Sequence, residues 1–187
     1  MPKVELIGVY GFDESVVGSK FPMSVDISTL TPEITSTTNM LASSGKGEAH
    51  DQFLTGITVI FDLTFSNKAW VEAERYTFLN FISSQSTMHR IAKFDIRNSC
   101  NEYVTDTIIK ECEYLADCYN FNPTNENYLK LLYNIPSGFE LTARMVTNYR
   151  ALKTIYSQRR HHKLPDWQVF CDWCETLPNF KEWFVTE

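Results

Sequence analysis

The segment from Ser84 to Tyr103 gathers side chains that can bind a phosphorylated ligand. Gln85, His89 and Arg90 supply an amide, an imidazole and a guanidinium group. The guanidinium group suits a phosphate because its planar fork of donors matches two phosphate oxygens, and the other groups can complete a hydrogen-bonded site. An ordinary polar loop has a similar composition, so this segment alone does not establish a site.

A second basic segment runs from Thr147 to Trp167, mostly on one predicted helix. Its polar and basic side chains include Asn148, Arg150, Arg159, Arg160, His161 and His162. Positions 148 and 159 are about three helical turns apart and therefore lie on nearly one face. Two such clusters in one short acidic chain predict a site for an anionic ligand.

Composition narrows the kind of ligand. A formal charge of −6, from 17 Lys and Arg against 23 Asp and Glu, makes the molecule as a whole repel nucleic acid polymers. A small anion stays compatible, because a few local Arg residues override the mean field at short range.

Hydrophobic residues at 43% and aromatic residues at 14% predict a packed interior. A length of 187 residues fits one domain, taken here as residues 1–187.

The chain shows no signal for export or membrane insertion, so we place it in the cytoplasm. Its five cysteines are an odd count and are expected to be reduced. Cys171 and Cys174 form a Cys-x-x-Cys pair, but no second pair has the spacing of a zinc site. We interpret both as small apolar core residues and expect no metal.

Apolar periodicity predicts alternating strands and helices in one α+β domain. Strands are predicted for Val4–Phe12, Ile57–Phe65 and Glu140–Thr147. Helices are predicted for Thr31–Ser43, Asn67–Phe81, Val104–Tyr119, Asn125–Tyr133, Asn148–Arg160 and the residues from Pro165 onward. Glu72 and Glu74, two positions apart on one of these helices, are interpreted as a solvated face.

At the two basic segments the chain resembles the flavin-dependent thymidylate synthases. The signature of that family reads Arg-His-Arg, seven residues, then Ser-x-Arg-Tyr. Gln85 precedes Met88-His89-Arg90 at the spacing of the family, and Ser99 and Tyr103 follow, displaced by one and two positions.

The second segment resembles another part of the same family. Residues 147–152, Thr-Asn-Tyr-Arg-Ala-Leu, with Arg159 beyond them, are similar to the Asn-x-Arg-Ser-Leu helix and the later nucleotide-contacting Arg. Trp167 resembles the Trp of Ala-Gln-Trp-Glu, one residue late. Because the matches occur in the same order along the chain, the resemblance covers most of it.

The resemblance implies a ThyX-like α+β fold with a central, mostly antiparallel sheet packed with helices, assembled as a homotetramer. It further implies FAD as cofactor, deoxyuridine monophosphate (dUMP) as substrate, and methylenetetrahydrofolate and NADPH as co-substrates, at sites shared between subunits. The implied flavin contacts are His89, Arg90, Asn148 and Arg150. The implied nucleotide contacts are Gln85, Ser99 and Arg159, of which Ser99 and Arg159 are the catalytic candidates, with Arg160 as the substitute for Arg159.

The chain departs from the family at three positions. Met88 replaces the first Arg of the triplet, and residues 100–102 lack the Arg expected before Tyr103. Gly56 stands where a second flavin-contacting imidazole is expected. Two hypotheses therefore stay open: a divergent FAD-dependent enzyme that methylates or otherwise modifies dUMP, and an inactive protein of the same fold that binds or sequesters a nucleotide or acts as a scaffold.

Overall fold

Four strands form an antiparallel sheet in the order β1-β2-β4-β3. The structure, a computed structural model, describes residues 1–45 and 47–185. The strands are β1 (Lys3–Tyr10), β2 (Thr58–Ser66), β3 (Asn80–Ser84) and β4 (Glu140–Asn148). The predicted α+β fold with a central antiparallel sheet is confirmed.

Strand β2 shows why the sheet has one buried face. Val59, Phe61, Leu63 and Phe65 are fully buried, whereas the residues between them are partly exposed. Since successive side chains of a strand point to opposite faces, this alternation places the apolar side chains in the core. The strand predictions at 57–65 and 140–147 are confirmed to within one residue at each end.

Helices pack on the buried face and at one end of the sheet. They are α1 (Phe12–Ser19), α2 (Ser36–Ser43), α3 (Asn67–Ala73), α4 (Thr87–Arg90), α5 (Asp106–Phe121), α6 (Asn125–Tyr133), α7 (Tyr149–Arg159), α8 (Pro165–Cys174) and α9 (Phe180–Phe184). Short 3-10 turns cover Phe21–Met23, Ile27–Thr29, His50–Gly56 and Ile91–Lys93. The helices predicted for residues 104–119, 125–133 and 148–160 are confirmed to within two residues at both ends. The helix predicted to begin at Pro165 begins there.

Two predicted boundaries near the amino terminus are wrong. The strand predicted to reach Phe12 ends at Tyr10, because Gly11 adopts a left-handed conformation (φ 71°) that turns the chain into α1. The helix predicted from Thr31 begins only at Ser36. There the side chain of Thr35 accepts a hydrogen bond from the Thr38 amide and starts the helix with a capping box.

The helix predicted for residues 67–81 is also wrong over its second half. It ends at Ala73, and residues 80–84 form strand β3 instead. The hydroxyl of Thr147 donates to the carbonyl of Phe78 at 2.8 Å, so the chain is tied to β4 just before pairing begins. Pairing with β4 overrides a helical spacing of Trp70, Ala73 and Tyr76 that was correct only locally.

The main core lies between the sheet and helices α3, α7, α8 and α9, and a smaller cluster packs around Phe139 and Leu131. Cys171 and Cys174 are buried in the main core, which confirms their interpretation as core residues. Burial raises the pKa of the Cys171 thiol to about 12, so it stays protonated. Within the two described ranges, no helix has the length and apolar character needed to cross a membrane.

Candidate functional site

Asn148 and Arg150 line a cleft of about 760 Å3 beside the first turn of α7, here called the α7 cleft. Its wall also includes Ser43, Phe78 and Thr154. Asn148 ends β4 and caps α7, because its side-chain oxygen accepts a hydrogen bond from the Ala151 amide at 2.9 Å. Two of the four predicted flavin contacts therefore share one concave surface.

The guanidinium group of Arg150 is held on one side and open on the other. Its Nε donates to Asp51 Oδ1 at 3.0 Å, and Nη1 donates to Gln52 Oε1 at 2.8 Å. A guanidinium group has five N–H donors, so three have no protein partner in the described part of the chain. The side chain is 37% exposed and can offer these donors to a ligand.

Lys153, one turn further along α7, has no donor left for a ligand. Its ammonium group donates to the carbonyls of Ala42 at 2.9 Å and Ser44 at 2.7 Å, and to Asp51 Oδ2 at 2.9 Å. These bonds use all three of its N–H groups. Sequence reasoning missed both Lys153 and Asp51, because their partners lie about a hundred positions away in the chain.

Arg159 is enclosed at the other end of α7. Its Nε donates to the Tyr76 hydroxyl at 2.7 Å and its Nη1 to Glu72 Oε2 at 3.0 Å. Its guanidinium carbon lies 4.7 Å from the ring centre of Trp167 and 5.3 Å from that of Tyr76. With 12% of its side chain exposed, it presents little surface to a ligand bound by this chain.

Glu72 is the centre of this cluster and not part of a solvated face as predicted. Besides Arg159, its carboxylate accepts from Trp167 Nε1 at 3.2 Å and lies 3.3 Å from His162 Nε2. Desolvation opposes ionisation, but the hydrogen bond from Trp167 and the neighbouring cations prevail and lower the pKa of Glu72. Glu74 is exposed, as predicted. The spacing of Glu72 and Glu74 within α3 does not reveal that Glu72 contacts residues of α7 and α8, so the sequence prediction for Glu72 was wrong.

Arg160 differs from its neighbour. Its guanidinium carbon lies over the Tyr156 ring, 5.2 Å from the centre, and within residues 1–45 and 47–185 it makes no salt bridge. It is only partly buried. Of the two adjacent arginines, Arg160 is therefore the one that can still pair with an anion.

The first basic segment lies at the opposite end of β4. The backbone N–H of Gln85 donates to the Thr142 carbonyl, and the side-chain oxygen Oε1 of Gln85 accepts from the backbone N–H of Thr142, both at 2.9 Å. The carbonyl of Ser99 accepts from the Glu140 amide at 2.7 Å. Gln85 thus follows a strand and not a helix, and Gln85 and Ser99 flank the start of β4.

His89 and Arg90 follow on the short helix α4, and both are exposed. His89 lines a polar recess of about 330 Å3 together with Met88, Tyr119 and Tyr128. Thr142 and Asn148 lie six positions apart in β4, which is about 20 Å at roughly 3.3 Å per residue. Within one chain, the structure does not bring the two basic segments together.

The three departures from the family have distinct physical settings. Met88 is exposed. In the segment that lacks the Arg expected before Tyr103, Glu102 is exposed, so an acid stands next to Tyr103 in place of a cation. A β-carbon at Gly56 would lie 2.4 Å from Ser15 Oγ but 3.5 Å from Ser15 Cβ, so a side chain there would require the Ser15 hydroxyl to move.

A larger and mostly apolar cleft, of about 1090 Å3, lies between α1, α2 and the 3-10 turn His50–Gly56. It is lined in part by Met40, Phe53 and Gln52. Thr55 lines both this cleft and the α7 cleft, so the two share a wall. The Ser- and Thr-rich stretch after residue 26 gave no signal for this cleft, since its apolar residues are spread over separate short elements.

Comparison with known proteins identifies the fold. No family model and no curated protein matches the sequence. Thymidylate Synthase X (ThyX) from Helicobacter pylori, solved with FAD and dUMP, is 13% identical with a TM-score of 0.77, covering 99% of this chain and 98% of that chain. The UMP/dUMP methylase PolB from Streptomyces cacaoi, bound with 5-Br dUMP, is 15% identical with a TM-score of 0.66, covering 94% and 89%. The chain is therefore a divergent member of the fold of the flavin-dependent thymidylate synthase ThyX.

Proposed function

We propose that this protein binds FAD and a uridine-type nucleotide monophosphate and methylates, or otherwise modifies, the base of dUMP. The observation that carries the proposal is a fold shared over nearly the full length of ThyX. It is combined with an Arg150 guanidinium group that Asp51 fixes and that has free N–H donors on the α7 cleft, within the described residues. Methylenetetrahydrofolate would donate the carbon and NADPH the reducing equivalents. The cytoplasmic location and the single domain stay predictions from the sequence.

The α7 cleft suits the cofactor. Asn148 and Arg150 line it, and Arg150 offers three N–H donors to an anionic or carbonyl oxygen. FAD, when bound, supplies hydride transfer, and the protein orients the cofactor and provides the electrostatic environment. His89 and Arg90 would complete the flavin site, while Gln85 and Ser99 would face the nucleotide.

The separation of the two segments leads to a shared site. His89 and Arg90 lie beyond Gln85, which pairs with Thr142 near the start of β4, whereas Asn148 ends β4 and Arg150 follows it. Thr142 and Asn148 are about 20 Å apart at roughly 3.3 Å per residue. One flavin ring can touch both groups if they come from different chains. We therefore propose sites built between subunits of a homotetramer, in which each chain contributes one segment to one site and the other segment to another.

Arg150→Ala and His89→Ala are each expected to abolish FAD retention without unfolding the protein. The first removes the open guanidinium group of the α7 cleft, and the second removes an exposed imidazole. The measurement is visible absorbance after incubation with FAD and desalting, with circular dichroism to verify folding. Arg75→Ala, at an exposed arginine that lines neither the α7 cleft nor the recess beside His89, is the matched control. Unchanged flavin content in both variants would exclude this site.

Arg160→Ala is expected to weaken dUMP binding about tenfold or more, since a charge-assisted pair with phosphate contributes about 1.5–3 kcal/mol. Arg159→Ala is expected to lower the free energy of unfolding more than it weakens dUMP binding, because Arg159 already donates hydrogen bonds to Glu72 and Tyr76. Calorimetric titration with dUMP, together with urea unfolding, separates these effects. A normal dUMP affinity in Arg160→Ala and a loss in folded Arg159→Ala would reverse the assignment in favour of Arg159.

A second candidate function, nucleotide binding without catalysis, is favoured by the surroundings of Gly56. A side chain at Gly56 would require the Ser15 hydroxyl to move, and Glu102 supplies a negative charge where the resemblance implies an Arg before Tyr103. Release of the C5 hydrogen of dUMP in the presence of FAD, methylenetetrahydrofolate and NADPH distinguishes the two. Binding of dUMP with no release would identify a binding protein.

A further inference from the structure

We infer that Asp51 is a positioning residue that sets the orientation of the Arg150 guanidinium group, with Lys153 anchoring Asp51 in turn. Neither residue is part of the family resemblance at the basic segments. The consequence for cofactor binding rests on the proposed function, but the positioning itself concerns this chain alone.

The carboxylate of Asp51 is enclosed and uses both oxygens. Its side chain is 9% exposed, Oδ1 accepts from Arg150 Nε at 3.0 Å, and Oδ2 accepts from Lys153 Nζ at 2.9 Å. A buried carboxylate needs paired donors because burial without them costs several kcal/mol. Both cations come from α7, one turn apart, so Asp51 fastens the 3-10 turn His50–Gly56 to that helix.

The bond at Nε decides what Arg150 can offer. An arginine side chain has many rotamers, but a bond from Nε to a fixed carboxylate sets the plane of the guanidinium group. The further bond from Nη1 to Gln52 restrains rotation of that plane. The remaining donors, on Nη2 and the second position of Nη1, are left for the α7 cleft.

Lys153 serves Asp51 and not a ligand. Its other two bonds hold the carbonyls of Ala42 and Ser44, at the end of α2. An ammonium group is favourable at that end because of the exposed carbonyls there. Arg150, Lys153 and Asp51 together carry a net charge of +1, from two cations and one carboxylate. Because all three N–H groups of Lys153 already have acceptors in the protein, a ligand in the α7 cleft meets this positive charge at Arg150.

The functional test is a double-mutant cycle on FAD affinity with Asp51→Asn, Arg150→Ala and the double variant. Affinity is titrated at FAD concentrations high enough to measure the weak binding of Arg150→Ala, which does not survive desalting. Asparagine keeps the size of the side chain but removes the charge. Freeing one side chain that was pre-ordered is expected to weaken FAD binding about tenfold. If Asp51 acts through Arg150, Asp51→Asn has no further effect in the Arg150→Ala background. Additive losses would overturn the inference and make Asp51 a general structural residue.

A second readout does not need FAD. In the ligand-free protein, the Nε–H proton of Arg150 is expected to exchange slowly with solvent in 15N NMR spectra and to become fast in Asp51→Asn. Asp62→Asn, which removes the carboxylate of the separate Asp62–Arg144 pair, is the matched control and should leave the Arg150 signal unchanged. Continued slow exchange in Asp51→Asn would overturn the inference. A wild-type protein that binds no FAD would instead count against the proposed function, while this spectrum would still decide the role of Asp51.

Discussion

Replacing Glu72 by alanine is expected to destabilise the protein by about 3–5 kcal/mol, the usual cost of removing one partner of a buried ion pair. The Glu72 side chain is 16% exposed and its carboxylate is the counter-charge of Arg159, which lies against the rings of Trp167 and Tyr76. Without it, the guanidinium group stays enclosed with no anion and the Trp167 N–H loses its acceptor. Urea unfolding at neutral pH measures the change as a lower midpoint at an unchanged slope.

Glu74→Ala is the matched control for Glu72→Ala, because it removes the same group two positions further on, where the side chain is exposed. Its effect is expected to stay within about 0.5 kcal/mol. Similar effects of the two substitutions would show that the Arg159 cluster does not hold α3 to α7 and α8.

The effect of Glu72→Ala is also expected to depend on pH. The folded protein lowers the pKa of Glu72 from its ordinary value of 4.5. A lowered carboxylate pKa stabilises the folded state fully above the ordinary value, and this contribution is lost as the pH falls through the folded pKa below it. The difference in unfolding free energy between wild type and Glu72→Ala should therefore shrink below about pH 4.5.

The local patterns of the sequence predicted most of the elements. The alternation from Ile57 to Phe65 and the helical spacing from Asn125 to Tyr133 correspond to β2 and α6 with little change. These patterns are sufficient where an element buries one continuous face. They fail for residues 74–84, where pairing of β3 with a strand some 60 positions later decides the structure.

The candidate site was harder to predict than the fold. Arg150 was identified, but not Asp51 and Gln52, which bond it from a turn about a hundred positions earlier. Arg159 and Arg160 are adjacent and of one type, so sequence alone cannot rank them. Their ranking comes from Glu72, Tyr76 and Trp167, which enclose Arg159 and leave Arg160 without a counter-charge in the described ranges.

Co-expression of His89→Ala chains with Arg150→Ala chains is expected to restore FAD binding that neither variant has alone. In the proposed shared site, one chain supplies His89 and another supplies Arg150. A site is intact when the first comes from an Arg150→Ala chain and the second from a His89→Ala chain. With equal amounts and random assembly, about one quarter of the sites meet this condition. Flavin absorbance per chain, measured on oligomers purified through two different tags, gives the fraction.

A companion mixture of wild-type chains with His89→Ala/Arg150→Ala double-variant chains distinguishes a shared site from a site within one chain. Shared sites need both contributions from wild-type chains, so about one quarter would bind FAD, whereas sites within one chain would leave about one half. Sites within one chain would also give no binding in the mixture of single variants. That pair of results would contradict the shared site and require His89 and Arg150 to reach one ligand along the length of β4. Since Thr142, which pairs with Gln85, and Asn148 are about 20 Å apart along β4 at roughly 3.3 Å per residue, only an extended ligand could do so, with its ends bound by different segments.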